Sequence, residues 1–356
     1  MSALLLPRAS ATAAMPMNSA AGNSVLGDVA LRGGLCVNGI VTGYDVIGDV
    51  HGCADALERL LRKLGYRRRW RTWRHPTRQA VFVGDLVDRG TQQIKTVQLV
   101  RRMVDAGSAQ LVMGNHEFNA VAWATRHPIT GERLRGAGAD EKKYHDQHAA
   151  FLNEVRDGSR KHRDIVAWFR ALPMFVDLGE LRVVHACWHD ESLDILRTAV
   201  DGDGLTLEFL VAAHDPLKQS REYWAIETAL KGPEVPLPQA YLDKDDHLRE
   251  RARIRWWDER ARTLRTLAEI PPGCRTPSGD AYPELPDSPS DYAEPFRYRG
   301  DKPVVFGHYW RRQGDTVTEP RAVCVDLSAV RGGHLAAYRF DGEPTIDPAK
   351  IVSVQA

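Results

Sequence analysis

The chain has 356 residues, long enough for one large domain or two smaller ones around a substantial core. Its 48 Lys and Arg residues nearly balance 47 Asp and Glu residues, and the formal net charge of +1 excludes a global field that attracts nucleic acid or a membrane. The sequence contains no apolar run near the roughly 20 residues of a membrane span. Five cysteines without a C-x-x-C pair argue against a disulfide framework or a zinc ribbon, and they favour a cytoplasmic protein.

The segment 1–42 is predicted to be a flexible N-terminal tail. Its first 24 residues are rich in Ala, Ser and Met, and no acidic residue occurs before Asp28. The run Leu4-Leu5-Leu6 is too short for the hydrophobic region of a signal peptide. A flexible tail, or a start codon assigned too far upstream, therefore explains this segment better than a targeting peptide does.

Three short apolar runs follow, and each ends in a glycine and then polar residues. They are Tyr44–Ile47, Ala80–Val83 and Leu111–Met113. Runs that are apolar on both faces are typical of buried strands. Between them, apolar residues recur at helical spacing and stop at Gly65 and at Gly107. The order β-α-β-α-β predicts an α/β fold, with ligands at the carboxyl ends of the strands.

The later part of the chain is predicted to alternate between sheet and an inserted lobe. A helix is expected over Ile165–Leu172, and a hairpin is expected to turn at Gly179-Glu180. Strand signals return at Val304–Phe306, Ala322–Val325 and Leu335–Arg339. Residues 43–189 and 303–345 are predicted to form the core, and residues 190–302 a helical and Pro-rich cap lobe. Its expected helices are Leu193–Val200, Ser220–Leu230 and His247–Leu267.

Three polar clusters stand directly after the three predicted strands. Their sequences are Gly48-Asp49-Val50-His51-Gly52, Gly84-Asp85-Leu86-Val87-Asp88-Arg89-Gly90 and Gly114-Asn115-His116-Glu117. Two further histidines, His185 and His308, stand at or just past the ends of later apolar strands. Carboxylate, imidazole and amide groups suit Mn, Fe or Zn better than soft metals. One such cluster alone is weak evidence, whereas this set at successive strand ends indicates a metal site.

The motifs GDVHG, GDLVDRG and GNHE, followed by the separate histidines, resemble the phosphoprotein phosphatase branch of the calcineurin-like metallophosphoesterases. That branch includes Ser/Thr protein phosphatases and bacterial diadenosine tetraphosphate hydrolases. The resemblance implies a four-layer metallophosphoesterase fold, in which two packed mixed β-sheets are flanked by helices. In this chain a helical lobe is inserted into that fold. Near the end, Val325-Asp326-Leu327 with Gly332-Gly333 resembles the closing strand pair of the family.

The resemblance also implies a role for each motif residue. Asp49, His51 and Asp85 would bind one metal, and Asp85, Asn115, His185 and His308 the second. A hydroxide bridging the two divalent ions would attack phosphorus. His116 would protonate the leaving oxygen, Asp88 would orient His116, and Arg89 would bind phosphate oxygens. Manganese is the expected metal, with iron, zinc, nickel and cobalt as alternatives. A second phosphate-binding arginine does not align, and its candidates are Arg253, Arg255 and Arg311.

The expected substrate is a nucleotide or another small phosphate, because a large lobe near the site favours a small or buried substrate. A Ser/Thr protein phosphatase is the alternative within the enzyme class, and nucleic-acid ends are a further possible partner. A binding or scaffold protein on a decayed fold is the alternative from another class. The complete set of predicted ligands argues against it. The sequence implies no membrane partner and leaves the oligomeric state open.

Several other features are assigned structural roles. The arginines between Arg67 and Arg78, interleaved with Trp70 and Trp73, suit single-stranded nucleic acid, but a solvated loop or hairpin is favoured. His145 and His148 fall in a polar stretch and are interpreted as surface residues. Cys187 has no recognisable general base and is not expected to be a nucleophile.

Overall fold

The computed structural model describes residues 41–243, 246–314 and 316–356. The predicted flexible tail therefore lies outside the described residues, except for its last two positions. Among the described helices, none is long and apolar enough to cross a bilayer.

The described residues contain eighteen strands, ten α-helices and three short 3₁₀ helices. The strands are β1 Gly43–Ile47, β2 Arg67–Arg69, β3 Thr72–Arg74, β4 Arg78–Phe82, β5 Ala109–Leu111, β6 Phe175–Asp177, β7 Arg182–Val184, β8 Val200–Asp201, β9 Gly204–Leu205, β10 Glu234–Leu242, β11 Leu248–Ile254, β12 Ala268–Glu269, β13 Val304–Phe306, β14 Thr318–Glu319, β15 Ala322–Cys324, β16 Asp326–Leu327, β17 His334–Phe340 and β18 Ile351–Gln355. The helices are α1 Ala54–Lys63, α2 Gln93–Asp105, α3 Asn115–Ala124, α4 Glu141–Val155, α5 Arg160–Arg170, α6 Asp190–Arg197, α7 Leu207–Ala212, α8 Arg221–Lys231, α9 Leu264–Leu267 and α10 Ala293–Phe296.

The first sheet has the strand order β16-β17-β1-β4-β5, and β18 pairs with β17. Strands β1, β4 and β5 are parallel, as the β-α-β-α-β pattern predicts, and β17 is antiparallel to β1. Helix α1 joins this core through Leu57, Leu60 and Leu61, which lie one helical turn apart and are fully buried. The carboxyl ends of the three parallel strands therefore meet at one edge of the sheet.

The second sheet has the order β14-β15-β13-β7-β6. Strands β7, β13 and β15 are parallel, and the predicted hairpin is present as the antiparallel pair β6 and β7. One buried apolar cluster contains side chains of both sheets, including Val46 and Val81 from the first and Val183 and Val305 from the second. The two mixed sheets thus pack face to face, and the predicted fold class is confirmed.

The segment 190–302 is only partly helical. The first two expected helices are present as α6 and α8. The third expectation, a helix over His247–Leu267, is wrong, because Leu248–Ile254 is strand β11 in a sheet with β10 and β12. Ala252 and Ile254 are buried two positions apart, so the period is that of a strand. Only α9 at the end of that stretch is helical. The division into core and inserted lobe stays a prediction.

Candidate metallophosphoesterase active site

The polar clusters converge where the two sheets meet. Gly84 has φ +106°, and a Cβ there would lie 2.4 Å from the backbone nitrogen of Gly114, so the second and third clusters are in direct backbone contact. A Cβ on Gly307 would lie 2.1 Å from Oδ1 of Asp49, which joins the first cluster to the loop after β13. Glycine is required at both positions, because any larger residue would push the loops apart.

Asp85 lies at the centre of the site, with both carboxylate oxygens directed at histidines. Its Oδ2 is 3.5 Å from Nε2 of His51, and its Oδ1 is 3.5 Å from Nε2 of His185. Its φ of +52° is unusual for a residue other than glycine, so the loop holds it in a strained conformation. The backbone N–H of His116 donates to Oδ1 at 2.9 Å. One carboxylate thus connects two groups of ligand-type side chains.

Two overlapping clusters of buried residues have donor atoms within 4.8 Å of one another. They are His51–Asp85–His116 and Asp85–His185–His308. His116, the expected acid, belongs to the first cluster by distance. Asp49 is not in either cluster, although it is buried at 2% exposure and accepts the His308 backbone N–H at 3.3–3.4 Å.

Several histidines of the site have a ring nitrogen with a free lone pair, as metal binding requires. Nδ1 of His51 lies 2.8 Å from the Val87 carbonyl, and Nδ1 of His185 lies 2.8 Å from the Val83 carbonyl. Donation to these carbonyls leaves Nε2 of each ring as an acceptor. Nε2 of His51 and of His308 are buried without a hydrogen-bond partner among the described residues. Such orphaned lone pairs are what a cation would satisfy.

The position of Asn115 also indicates a cation site. Its Oδ1 lies 3.0 Å from Nε2 of His185, the nitrogen that the Val83 contact leaves without a proton. Two acceptors at this distance repel each other unless a cation lies beside both. The donor set of oxygen and imidazole nitrogen therefore fits divalent first-row metals.

Burial and mutual charge fix the ionisation of these groups. Burial lowers the pKa of His51 to about 3 and lowers the pKa of His185 and His308, so the neutral form of all three rings is favoured. Burial, Asp326 and Asp85 raise the pKa of Asp49 well above its usual value. These carboxylates oppose one another inside the protein, and bound cations would relieve the repulsion.

His116 and Asp88 form the expected dyad. Nδ1 of His116 is 2.6 Å from Oδ2 of Asp88. Burial disfavours the charged imidazole, but Asp85 and Asp88 outweigh it and raise the pKa of His116. A raised pKa favours the protonated form of the His116 ring. Such a ring can donate a proton, as a general acid must.

His148 is a residue that the sequence interpretation missed. It is buried at 4% exposure, and its Nδ1 lies 2.8 Å from both oxygens of Asp88. The surface assignment is therefore wrong for His148, whereas the His145 side chain is 47% exposed. On α4, His148, Phe151, Leu152 and Val155 are buried at helical spacing. That stripe is the signal that could have placed His148 inside.

Two buried carboxylates fix the loops of the site without belonging to the predicted set. Glu117 accepts the backbone N–H groups of Asp85, Leu86 and Gly114 at 2.7–3.0 Å. Asp326 accepts those of Trp310 and Ser328 at 3.1 and 2.9 Å. Glu117 thus links the second cluster to the third, and Asp326 holds the loop after His308 against β16.

The arginines considered for phosphate binding differ in their contacts. Arg89 is exposed, and its guanidinium carbon lies 4.0 Å from the ring centre of Trp310. Arg255 and Arg311 both form ion pairs with Glu269, at 2.7 and 2.8 Å. Arg253 instead lies close enough to His308 for its charge to add to the lowering of the histidine's pKa. Of the three candidates for a second phosphate contact, Arg253 is the one whose charge lowers the pKa of both His185 and His308.

Three residues follow His185 closely in the chain and contact the protein around them. Cys187 is fully buried, and burial raises the pKa of its thiol well above the usual value, so it is unreactive. His189 contacts Ser192, with Nδ1 2.8 Å from Oγ. The bulky Trp188 packs edge-on against Phe175, with ring centres 5.3 Å apart.

The two-sheet fold is that of a metallophosphoesterase. Residues 44–309 match the family model described as calcineurin-like phosphoesterase, and the chain belongs to that family. Members of that family use divalent metals, and two groups of buried residues described above could hold a metal ion.

Two relatives of the chain bear related names. The chain is 51% identical over 143 residues to bis(5'-nucleosyl)-tetraphosphatase PrpE [asymmetrical] of Oceanobacillus iheyensis, a match that covers 40% of this chain and 54% of that protein. It is 28% identical over 319 residues to bis(5'-nucleosyl)-tetraphosphatase, symmetrical, of Chromohalobacter salexigens, covering 85% and 97%. The chain thus spans about half the length of PrpE. A protein serine/threonine phosphatase from Saccharomyces cerevisiae superposes over 89% of this chain and 80% of its own with a TM-score of 0.46 at 14% identity.

Proposed function

We propose that this chain is a two-metal phosphohydrolase whose substrates are nucleotides joined through phosphate anhydrides. The observation that carries the proposal is the Asp85 carboxylate, which faces one histidine cluster with each oxygen. The names of the relatives support the substrate class. A cytoplasmic location stays a prediction from the cysteine pattern.

The ligand sets follow from this arrangement. Asp49, His51 and Asp85 would hold one cation, and Asp85 would also bind a second cation. The second site is completed by Asn115, His185 and His308. Two divalent cations would supply Lewis acidity to the phosphoryl group and lower the pKa of the attacking water. Manganese is the proposed metal, because oxygen and imidazole donors suit it.

The remaining side chains bind the substrate and move the proton. Protonated His116 donates to the departing phosphate oxygen, and Asp88 holds its ring in place through Nδ1. The fork of N–H donors on Arg89 suits the non-bridging oxygens of the phosphoryl group. Arg253 supplies a second positive charge, close enough to His308 to lower the pKa of that ring. The chain thus provides an acid, an orienting carboxylate and two phosphate contacts.

The substrate proposal is tested with metal-stripped protein reloaded separately with Mn, Fe, Zn, Ni or Co. Hydrolysis of diadenosine tetraphosphate, a phosphoserine peptide and p-nitrophenyl phosphate is then compared. We expect kcat/KM for the dinucleotide to exceed that for the peptide by at least about tenfold, or about 1.4 kcal/mol. A preference for the peptide would instead support the protein phosphatase alternative. Two bound metals without turnover of any substrate would support a binding or scaffold protein.

The bridging role of Asp85 is tested by Asp85→Asn, which removes the negative charge and keeps the shape. We expect at least one metal per chain to be lost and turnover to fall by about a hundredfold or more. Metal content by mass spectrometry and p-nitrophenyl phosphate hydrolysis are the readouts, and the exposed Asp203→Asn is the matched control. A purified Asp85→Asn protein with two metals and normal turnover would contradict the shared site.

A further inference from the structure

The segment from Arg67 to Arg74, here called the basic hairpin, carries positive charge without internal compensation. Strands β2 and β3 pair across a turn at Trp70-Arg71. Its arginines are Arg67, Arg68, Arg69, Arg71 and Arg74. Within the described ranges, none of these five forms an ion pair or a side-chain hydrogen bond, whereas Arg78, Arg101 and Arg133 do. The hairpin therefore lacks an anionic partner within this part of the chain.

The turn is not built for stability. Trp70 and Arg71 have φ of +50° and +69°, values that two-residue hairpins usually assign to Asn and Gly. Arg67 stands directly opposite Arg74, and like charges in that position are destabilising. Trp70 is 97% exposed, although tryptophan is usually mostly buried. Strained conformations of this kind concentrate at functional sites.

A cleft of about 620 Å³ opens beneath the turn. Its walls include Arg69, Trp70, Arg71 and Arg74 from the hairpin, and Arg102 and Asp105 from the end of α2. Four arginines against one aspartate make the cleft cationic, with an indole at its rim. The site loops follow the opposite ends of the parallel strands, because β4 begins at Arg78 beside the hairpin and ends at Phe82 before Asp85. The cleft is thus separate from the active site.

We propose that the basic hairpin binds single-stranded nucleic acid. Guanidinium groups bind phosphate oxygens through paired N–H donors, and an exposed indole offers a face on which a base can stack. The cleft is open and is lined by arginines of the hairpin and of α2, so a flexible polyanion with stacking bases can use both the charge and the indole. The solvated-hairpin interpretation is right about the backbone and does not account for the bare indole and the unpaired arginines. This binding goes beyond phosphate hydrolysis and does not depend on which ester the active site cleaves.

The test uses the full chain and a fluorescent dT20 oligonucleotide without a terminal phosphate, with binding followed by anisotropy at low salt. We expect a Kd on the order of micromolar that weakens as salt rises. The triple variant Arg69→Gln/Arg71→Gln/Arg74→Gln should weaken binding at least tenfold and lower the salt slope by about 2. Trp70→Ala should weaken it by about tenfold, through lost stacking. Binding should persist in millimolar inorganic phosphate, which competes at the active site.

Two control variants test whether binding depends on the basic hairpin or on any exposed positive charge and indole. Arg160→Gln/Lys161→Gln/Arg163→Gln removes three positive charges from the exposed start of α5, and Trp224→Ala removes another exposed indole. Both should bind dT20 as the wild type does, and all variants should hydrolyse p-nitrophenyl phosphate normally, which verifies folding. Equal binding by the hairpin and control variants, or no binding by the wild type, would overturn the proposal. So would binding to phosphatidylserine vesicles in place of dT20.

Discussion

Asp88 shows how a single residue determines the chemistry of its neighbours. It accepts from His116 at 2.6 Å and from His148 at 2.8 Å, and its own backbone N–H donates to Gln93 at 2.7 Å. Burial alone would raise the pKa of Asp88, but the two histidines lower it below its usual value. The carboxylate therefore stays ionised and holds the ring of His116. Neither its charge nor its orientation depends on His116 alone.

Some residues of the candidate site could be predicted from the sequence. Asp49, Asp85 and Asn115 follow glycines at successive strand ends, so their meeting at one edge is a consequence of parallel strands. His148 comes from a helix far along the chain, and no neighbouring residue marks it as part of a site. Its contact with Asp88 depends on how α4 packs, which local spacing does not encode.

The acid role of His116 predicts a dependence on the leaving group. His116→Asn should lower kcat by about 10² to 10⁴ for substrates with a poor leaving group, because their departing oxygen needs a proton. Activated aryl phosphates should lose much less, and metal content should stay near that of the wild type. The measurement is kcat for phenyl phosphate and for 2,4-dinitrophenyl phosphate. Equal losses for the two would remove His116 from the acid role.

His148 is predicted to act through Asp88 and not on the substrate. His148→Leu should lower kcat for phenyl phosphate by about tenfold and leave KM unchanged, since His116 loses the fixed position of its partner. His148→Asn should recover most of the activity, because an amide N–H can replace Nδ1 as donor. The exposed His145→Leu on the same helix is the control. If the leucine and asparagine variants lose equally, His148 has only a packing role.

At the scale of elements, the strands of the first sheet could be predicted because they are buried on both faces and form continuous apolar runs in the sequence. Strand β11 could not be predicted in this way. Its sequence Leu-Arg-Glu-Arg-Ala-Arg-Ile is mostly charged, and its first four residues are exposed. Only Ala252 and Ile254 show the strand period, which is too short a signal to exclude a helix. Pairing with β10, a long-range contact, decides the structure there.

The stretch after β11 is predicted to stabilise the site strands through Trp256. This side chain is 1% exposed, its ring centre lies 4.8 Å from that of Phe306, and its Nε1 donates to the carbonyl of Ala186 at 3.0 Å. Trp256→Phe should lower the free energy of unfolding by about 2–3 kcal/mol, because the carbonyl loses its donor and a cavity remains. Urea denaturation measures this loss. The half-exposed Trp224→Phe serves as control, and equal stability of the two variants would contradict the prediction.

At the scale of the whole molecule, the two packed sheets follow from alternating strands and helices, but the arrangement of segment 190–302 does not. Its aromatic residues join the core around β13, so its position depends on contacts with strands that are distant in sequence. The burial of histidines in the fold affects the stability of the protein at acidic pH. Histidines kept neutral inside the fold must take up protons when the protein unfolds.

His214 allows this effect to be measured apart from the predicted metal ligands. It stacks on Phe118, with ring centres 5.2 Å apart, and burial lowers its pKa to about 4, below the ordinary value of 6.5. Between these two values the unfolded chain binds more protons than the folded one. The contribution of His214 to stability is therefore complete above pH 6.5 and declines as pH falls towards 4. The decline amounts to about 1–3 kcal/mol.

His214→Gln keeps a donor for the Leu210 carbonyl, which His214 contacts through Nδ1 at 2.8 Å, but it does not titrate. We therefore expect the variant to lose less Tm than the wild type between pH 7.5 and pH 5, although it starts lower because the stacking on Phe118 is weakened. Differential scanning calorimetry of metal-stripped protein at both pH values measures the two differences. The His247→Gln variant should follow the wild type, because the side chain of His247 is 64% exposed in the folded state. If His214→Gln loses as much Tm as the wild type on acidification, the burial of His214 does not contribute to acid sensitivity.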